Sequence, residues 1–337
     1  LSSGLYYVPQ NYANTEEVIE LAKVASEFGG IYDTHLRDES TFSVGLVAAV
    51  NEAIDIARKA QISLHIAHIK ALGVDVWGQS EEIIQIIEDA QDSGVTITAD
   101  QYPWLASGTK LHNAVMPKWL MADSQKAFFN RLNDKRLQER IVLEVTENIR
   151  RRGGPSSLLI TAFKDENLVG KTLADVAQLR NKTPVHTAID LVQEGQVRVA
   201  SFNMSREDLA RFMSQPWVVT SSDGTNGHPR KYASFPQKYQ EYVVKDPLLS
   251  IEQFLYSSST ATANILGLKE RGKLKVGYKA DVIILDEVNY SANANFSNWD
   301  SYSSGVEYVF VNGELAIEAK QYTDELAGQV ISKIKMQ

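Results

Sequence analysis

The sequence of 337 residues contains no cysteine, which excludes disulfide bonds, thiol nucleophiles and thiolate metal ligands. Any metal ion would therefore be bound by imidazole, carboxylate or water. Long apolar runs are also missing, because no stretch reaches the roughly 18 apolar residues of a membrane span, and the first residues do not resemble a signal peptide. We therefore expect a cytoplasmic protein that does not interact with a membrane.

Basic residues are outnumbered by acidic ones and occur only in short runs. The chain has 34 Lys and Arg against 42 Asp and Glu, a net charge of −8, and its longest basic run is 150–152. Binding to a phosphate backbone requires clustered cations, so a nucleic-acid partner is not expected. With 44% hydrophobic and 23% charged residues, the composition is that of a folded globular protein and excludes disorder.

Helical and strand-like segments alternate along the first two thirds of the chain, a pattern typical of a parallel sheet in an α/β fold. Helices are predicted over residues 16–28, 42–60 and 80–92. Strands are predicted over residues 30–35, 62–68, 95–102, 157–163, 197–203 and 217–222. We interpret them as part of a (β/α)8 TIM-like barrel, whose active site lies at the carboxyl ends of the strands.

The predicted barrel is two strands short of eight, and the chain begins at Leu1 without a methionine. We therefore expect that N-terminal barrel units are missing from this chain. The barrel is assigned to residues 1–270, with a charged helical insertion at about 104–155. Residues 271–337 alternate in strand fashion around the turn Asn312-Gly313 and are assigned to a small β-sandwich domain.

Polar residues that end predicted strands are the candidates for chemistry. His35 and His68 end successive strands one βα unit apart, and Asp223 ends a later one, which makes a zinc site with an open position for water plausible. Each residue also has a structural interpretation. A single histidine is often only hydrogen-bonded, and Asp223 before Gly224 is typical of a turn.

The same holds for other polar residues in these segments. The segment 37–39 is consistent with a solvated loop that caps a helix, and Tyr102-Pro103 with the end of a strand. His65 is out of phase with His68, so it is predicted to face the helix layer. We interpret His65, His112 and His186 as structural.

Six segments in order resemble the N-acyl-D-amino-acid deacylase (D-aminoacylase) branch of the amidohydrolase superfamily, over nearly the full chain. These segments are Leu1-Ser2-Ser3-Gly4-Leu5-Tyr6-Tyr7-Val8-Pro9, Thr34-His35-Leu36-Arg37-Asp38-Glu39, Ala67-His68-Ile69-Lys70, Asp100-Gln101-Tyr102-Pro103-Trp104, Ser222-Asp223-Gly224 and His228-Pro229-Arg230. The tail around Ala280-Asp281-Val282 resembles the return of the chain into the small β-sandwich domain of amidohydrolases.

The resemblance implies a site and a cofactor. His35 and His68 match two zinc-binding histidines, and Asp223 matches an aspartate that acts as general acid and base and can bind a second metal. Lys70, Tyr102 and Arg230 match the positions that hold the substrate α-carboxylate, for which a planar guanidinium is well suited. The implied cofactor is one or two Zn²⁺ ions. The family's His-x-His pair and bridging cysteine have no counterpart, so we expect the remaining ligands upstream of Leu1.

The implied activity is hydrolysis of a small-molecule N-acyl-D-amino acid to a carboxylate and a free D-amino acid. Ala106-Ser107-Gly108-Thr109 departs from the family's Ala-Gly-Ser-Thr, and this part shapes the side-chain pocket. Alternatives on the same fold are a cyclic amidase of the dihydroorotase or hydantoinase type and a dipeptidase that releases an acidic residue. A further alternative is a non-catalytic homologue that binds a ligand.

Overall fold

The computed structural model describes residues 1–331, which contain twelve strands and twelve α-helices. The strands are β1 (Ser2–Gly4), β2 (Ile31–His35), β3 (Ser63–Ile66), β4 (Ile97–Gln101), β5 (Ala106–Lys110), β6 (Leu158–Ala162), β7 (Arg198–Phe202), β8 (Val218–Thr220), β9 (Val282–Leu285), β10 (Val306–Val311), β11 (Glu314–Glu318) and β12 (Gln321–Tyr322). The helices are α1 (Thr15–Glu27), α2 (Leu46–Ala60), α3 (Ser80–Asp92), α4 (Leu111–Val115), α5 (Gln125–Leu132), α6 (Gln138–Arg151), α7 (Leu173–Leu179), α8 (Pro184–Glu194), α9 (Arg206–Met213), α10 (Arg230–Tyr239), α11 (Ile251–Ser258) and α12 (Thr260–Ile265).

A parallel sheet with the strand order β1-β2-β3-β4-β8 carries the candidate site. One face of this sheet packs on a core formed with α1, α2 and α3, and it includes Tyr32, Leu64 and Ala99. Along β3 and β4 such apolar side chains alternate with polar ones, because successive strand residues point to opposite faces. The three helices predicted from the sequence in this region are confirmed as α1–α3.

Two of the six predicted barrel strands do not belong to the parallel sheet. Strands β6 and β7 pair antiparallel with each other, and β7 also pairs antiparallel with β5, in a second sheet. Their prediction as parallel barrel strands is wrong because an apolar run indicates a strand but not its direction. Among residues 1–331 the parallel sheet has five strands and is open, so the complete eight-stranded barrel stays a prediction.

The second sheet is part of a separate core. Helices α4–α8 pack around it, and its buried residues include Val115, Ile141, Leu158, Leu191 and Val199. Residues 106–202 therefore form a unit that extends beyond the predicted insertion at about 104–155. Its strands β5 and β7 pass close to the beginning of α10, where they form one wall of the cavity described below.

The C-terminal sheet is antiparallel, with the strand order β12-β11-β10-β9. The predicted hairpin is confirmed between β10 and β11, where Asn312 and Gly313 both have positive φ, at 52° and 91°. A two-residue hairpin turn of the favoured twist requires this conformation. The assignment of 271–337 to a sandwich domain stays a prediction, and its residues 332–337 lie outside the described part. Across residues 1–331, no helix combines the length and apolar character needed to cross a membrane.

Candidate active site

A cavity of ≈ 480 Å³ lies at the carboxyl ends of the parallel strands. It is bordered by all of the predicted site residues, namely His35, His68, Lys70, Tyr102, Asp223 and Arg230. These residues end or follow β2, β3, β4 and β8, so the sheet itself brings them together. The structure thus groups residues that are far apart in the sequence, as expected for parallel strands with their carboxyl ends at one edge.

The first end of the cavity contains His35, His68 and the carboxylate of Glu39. Glu39 was not among the predicted site residues. The Nδ1 atom of His35 lies 2.9 Å from Nε2 of His68. The carboxylate oxygens of Glu39 lie 3.6 Å from Nε2 of His35 and 3.2 Å from Nδ1 of His68. Lys70 donates to Glu39 at 2.5 Å, and its Nζ lies 2.7 Å from Nδ1 of His68. Histidine, carboxylate and ammonium groups thus form one connected cluster.

Glu39 reaches this cluster because the loop that carries it is turned inward. The buried Asp38 carboxylate accepts hydrogen bonds from the backbone N–H groups of Ser40, Ser43 and Gly45, which folds the loop over itself. Glu39 is 4% exposed, so the interpretation of this segment as a solvated loop is wrong. The available signal was a carboxylate four residues after a candidate metal ligand.

The cluster fits a divalent metal ion such as zinc. Burial lowers the pKa of His35 to about 3, so its imidazole is neutral, which is the form that binds metals. Burial opposes ionisation of Glu39, but the Lys70 ammonium and the contact with His68 hold the pKa of Glu39 well below its usual range. Nε2 of His35 is buried and has no hydrogen-bond partner within residues 1–331. Together, His35, Glu39 and His68 can each offer one ligand atom, with these atoms within 4.8 Å of one another.

His68 is held in an unusual backbone conformation. Strand β3 ends at Ile66, His68 has a φ of 39°, and its N–H donates to Asp100 at 3.0 Å. The strand alternation therefore does not extend from His65 to His68. His65 contacts Thr98 and Asp100, at 2.8 and 2.9 Å, on the face opposite the helical core, so the prediction that it faces the helix layer is wrong.

The second end of the cavity contains donors without acceptors. Arg230 is 2% exposed, and its Nη2 pairs with Asp223 at 2.8 Å and donates to the carbonyl of Gly108. Its Nε and Nη1 atoms, like the hydroxyl of Tyr102, are buried and have no hydrogen-bond partner in the described part of the chain. The guanidinium lies 4.4 Å from the Tyr102 ring centre. Buried donors normally have acceptors, so this end fits an anionic ligand group.

Asp223 lies in the cavity but outside the group of three candidate metal ligands. It has a φ of 42°, so the prediction of a turn at this position agrees with the backbone. Its ion pair with Arg230 places its carboxylate beside the unpaired donors. The role of Asp223 as acid, base or metal ligand stays a prediction.

His228 was not assigned a role from the sequence, but it positions Arg230. Its Nδ1 accepts the N–H of Arg230 at 3.1 Å, so its Nε2, 2.9 Å from the carbonyl of Ala106, must be the donor. Burial lowers the pKa of His228 well below its usual range, which keeps the imidazole neutral. His112 and His186 do not border this cavity, which agrees with their structural interpretation.

Comparison with known proteins identifies the relatives of this chain. A model of the amidohydrolase family matches residues 157–317. D-aminoacylase of Alcaligenes xylosoxydans is 28% identical over 99% of this chain and 61% of its own length. A crystal structure of D-aminoacylase, described as defining a novel subset of amidohydrolases, is 28% identical with a TM-score of 0.79, over 98% of this chain and 62% of that one. The chain is similar to the D-aminoacylases over nearly its full length.

A second solved relative contains a bound metal. N-acyl-D-glutamate deacylase of Bordetella bronchiseptica is 26% identical, with a TM-score of 0.77, over 94% of this chain and 59% of that one. That structure holds zinc and a phosphonate inhibitor that mimics the tetrahedral intermediate of its reaction. The resemblance to N-acyl-D-amino-acid deacylases and the amidohydrolase fold are thus confirmed. The chain spans about three fifths of the length of these relatives.

Proposed function

We propose that this protein is a zinc-dependent deacylase that hydrolyses the amide bond of N-acyl-D-amino acids to a carboxylate and a free D-amino acid. The observation that carries this proposal is the coexistence of two features in one cavity. One is the group of candidate metal ligands, and the other is the pair Arg230 and Tyr102, whose buried donors are unpaired within residues 1–331. A substrate with an α-carboxylate next to its amide fits both features at once.

The metal would be held by His35, His68 and Glu39, with one or two zinc ions in the complete site. When bound, such an ion lowers the pKa of water and polarises a carbonyl group. Arg230 and Tyr102 bind the α-carboxylate. Lys70, which contacts the candidate metal ligands Glu39 and His68, donates to the same carboxylate from the opposite side. Contacts at the carboxylate, the amide and the side chain together distinguish D from L substrates.

We assign Asp223 the role of proton carrier. Its carboxylate is paired with Arg230 and borders the same cavity as the candidate metal ligands. We assign it the removal of a proton from the attacking water and the transfer of that proton to the leaving amide nitrogen, because an amine anion is too poor a leaving group to depart without one. Replacement by an acceptor that cannot be protonated would remove this step.

The direct test is release of amine by zinc-supplemented protein from matched N-acetyl-D- and N-acetyl-L-amino acids, with apolar and acidic side chains in both series. We expect release from the D series only. A 5-substituted hydantoin, which has no carboxylate for Arg230, tests the cyclic-amidase alternative. Release from the hydantoin without release from any D substrate would contradict the deacylase proposal.

Asp223→Asn tests the assigned proton transfer. We expect kcat to fall by about 10²- to 10⁴-fold, the usual contribution of a general acid or base. The zinc content of the variant, measured by atomic emission, should equal that of the parent protein. Asp324→Asn, at an exposed position of the C-terminal segment, is the matched control. Unchanged turnover by Asp223→Asn would disprove the role of Asp223.

A further inference from the structure

The cavity has a charge opposite to that of the whole chain. The net charge of the protein is −8, but the cavity is lined by more cationic than anionic side chains. Its cationic residues are Lys70, Lys110, Arg152, Arg198 and Arg230, and its carboxylates are Glu39 and Asp223. Concave surfaces with one sign of charge attract ligands of the opposite sign. The cavity therefore carries more positive charge than the binding of one α-carboxylate requires.

The excess resides in specific residues. Lys70 is paired with Glu39, and Arg230 with Asp223. Arg152 donates to the carbonyl of Ala114 and is otherwise near hydroxyl groups, so it is solvated by neutral acceptors.

Lys110 and Arg198 have a different environment. Neither has a carboxylate within ion-pair distance in the part of the chain that the structure describes, and the ammonium of Lys110 has no hydrogen-bond partner there.

Lys110 and Arg198 are also direct neighbours. They are paired residues in the antiparallel ladder of β5 and β7, so their side chains lie on the same face of that sheet. Like charges at directly opposite positions are destabilising when nothing lies between them. Burial and the charge of Arg230 both lower the pKa of Arg198, which shows that the guanidinium lies in an already positive region. An anion between the two side chains would remove this repulsion.

The guanidinium of Arg198 is held in place. Its Nε donates to the carbonyl of Asn226 at 2.7 Å, and its Nη2 donates to the hydroxyl of Thr225. The same threonine lies beside Gly108, where an added Cβ would be 3.3 Å from Thr225 Cγ2 and 3.4 Å from Nη2 of Arg230. The Lys110 and Arg198 pair is therefore next to the Arg230 end of the cavity, because the absence of a side chain at Gly108 lets Thr225 and Arg230 approach strand β5 closely.

We propose that Lys110 and Arg198 form a second anion subsite, which binds a further carboxylate of the substrate. This inference rests on the proposed deacylase function and names its substrate class as N-acyl-D-amino acids with two carboxylates. The second carboxylate belongs either to the amino-acid side chain or to the far end of a dicarboxylic acyl group. The guanidinium supplies a directed pair of donors and the ammonium supplies a second charge.

The test uses zinc-loaded full chain and four substrates: N-acetyl-D-glutamine, N-acetyl-D-glutamate, N-succinyl-D-glutamine and N-acetyl-L-glutamate. We expect kcat/KM for at least one dicarboxylate D substrate to exceed that for N-acetyl-D-glutamine by about tenfold or more. A preference for the glutamate compound places the second carboxylate on the side chain, and a preference for the succinyl compound places it on the acyl group. Equal values for all D substrates would overturn the subsite and leave the deacylase function standing.

Arg198→Gln and Lys110→Gln test the assignment to these residues. We expect each to reduce the ratio of kcat/KM for the preferred dicarboxylate to that for N-acetyl-D-glutamine by about 10- to 100-fold. Arg198→Lys should retain part of the ratio. Arg136→Gln removes an equal charge from a side chain that is 88% exposed and is the matched control. Since Arg198 also holds Thr225 and Asn226, Lys110→Gln, which breaks no hydrogen bond in residues 1–331, provides the test if Arg198→Gln does not fold.

A binding measurement separates the two proposals. Calorimetric titration with D-glutamate, D-glutamine and succinate gives affinities that do not depend on turnover. If no N-acyl-D substrate is hydrolysed but D-glutamate or succinate binds and loses affinity in Lys110→Gln, the subsite stands and the deacylase function fails. If D substrates are hydrolysed but neither dicarboxylate binds more tightly than D-glutamine, the subsite fails.

Discussion

The two ends of the cavity differ in how their buried polar groups are paired. At the ligand end, His35, His68, Glu39 and Lys70 are bonded to one another in a connected network, in which Nε2 of His35 is the buried atom left without a hydrogen-bond partner within residues 1–331. At the Arg230 end, three buried donor atoms, two on Arg230 and one on Tyr102, have no acceptor within residues 1–331. A network of opposite charges is stable by itself, but unpaired buried donors reduce stability. The first end is therefore preorganised, and the second is completed by its ligand.

This difference separates what each end contributes to function. Substitutions at the ligand end remove partners from a connected group, so they should affect metal affinity and folding together. Substitutions that remove Nε or Nη1 of Arg230 or the hydroxyl of Tyr102 delete donors that have no partner within residues 1–331, so they should affect substrate binding and spare the fold. Stability and substrate binding can thus be changed independently at the second end only.

Glu39→Gln should give the largest of the effects that test this difference. Loss of the carboxylate removes a metal ligand and the counter-charge of Lys70, and we expect zinc affinity to fall by up to about a hundredfold. Competition with a chromophoric chelator measures this affinity. Glu52→Gln, which removes a carboxylate paired with Arg37 outside the cavity, is the matched control. Unchanged zinc affinity would show that Glu39 is only the counter-ion of Lys70.

Glu39 also illustrates what the sequence can and cannot predict. His35, His68 and Asp223 were predicted because polar residues that end parallel strands share one edge of a sheet. Glu39 lies in a loop, and its burial depends on hydrogen bonds that Asp38 makes within that loop, which no periodic pattern encodes. A candidate ligand in a loop therefore has to be sought among carboxylates near a predicted histidine.

A similar limit applies to the fold. The apolar runs of β6 and β7 were recognised as strands. Their antiparallel direction depends on the packing of α7 and α8, which connect the two strands along the chain. His65 was given the wrong face because the strand ends at Ile66 and His68 adopts a left-handed backbone conformation. In the first case the packing of the connecting helices decided the outcome, and in the second the end of the strand did.

Arg230→Lys should give a smaller effect at the other end. Lysine keeps the charge but loses the planar pair of donors, so we expect KM for N-acyl-D-amino acids to rise by about tenfold, with kcat nearly unchanged. An N-acyl amine without a carboxylate is the matched substrate, and its kcat/KM should not change. An equal loss on this amide would show that Arg230 acts on Asp223 or on the fold rather than on the substrate carboxylate.

Tyr102→Phe should give the smallest and most diagnostic effect. The Tyr102 hydroxyl is buried, and burial raises the pKa of this phenol, so it is present as a neutral donor. Because the hydroxyl has no partner in the free protein within residues 1–331, its removal should leave the free energy of unfolding unchanged or raise it by about 1 kcal/mol. In the substrate complex the same removal deletes one hydrogen bond, so KM should rise by roughly threefold to tenfold. Urea unfolding and steady-state kinetics on the same preparations measure both quantities. A less stable variant with unchanged KM would mean that the hydroxyl supports the fold, and the contrast between the two ends of the cavity would then be wrong.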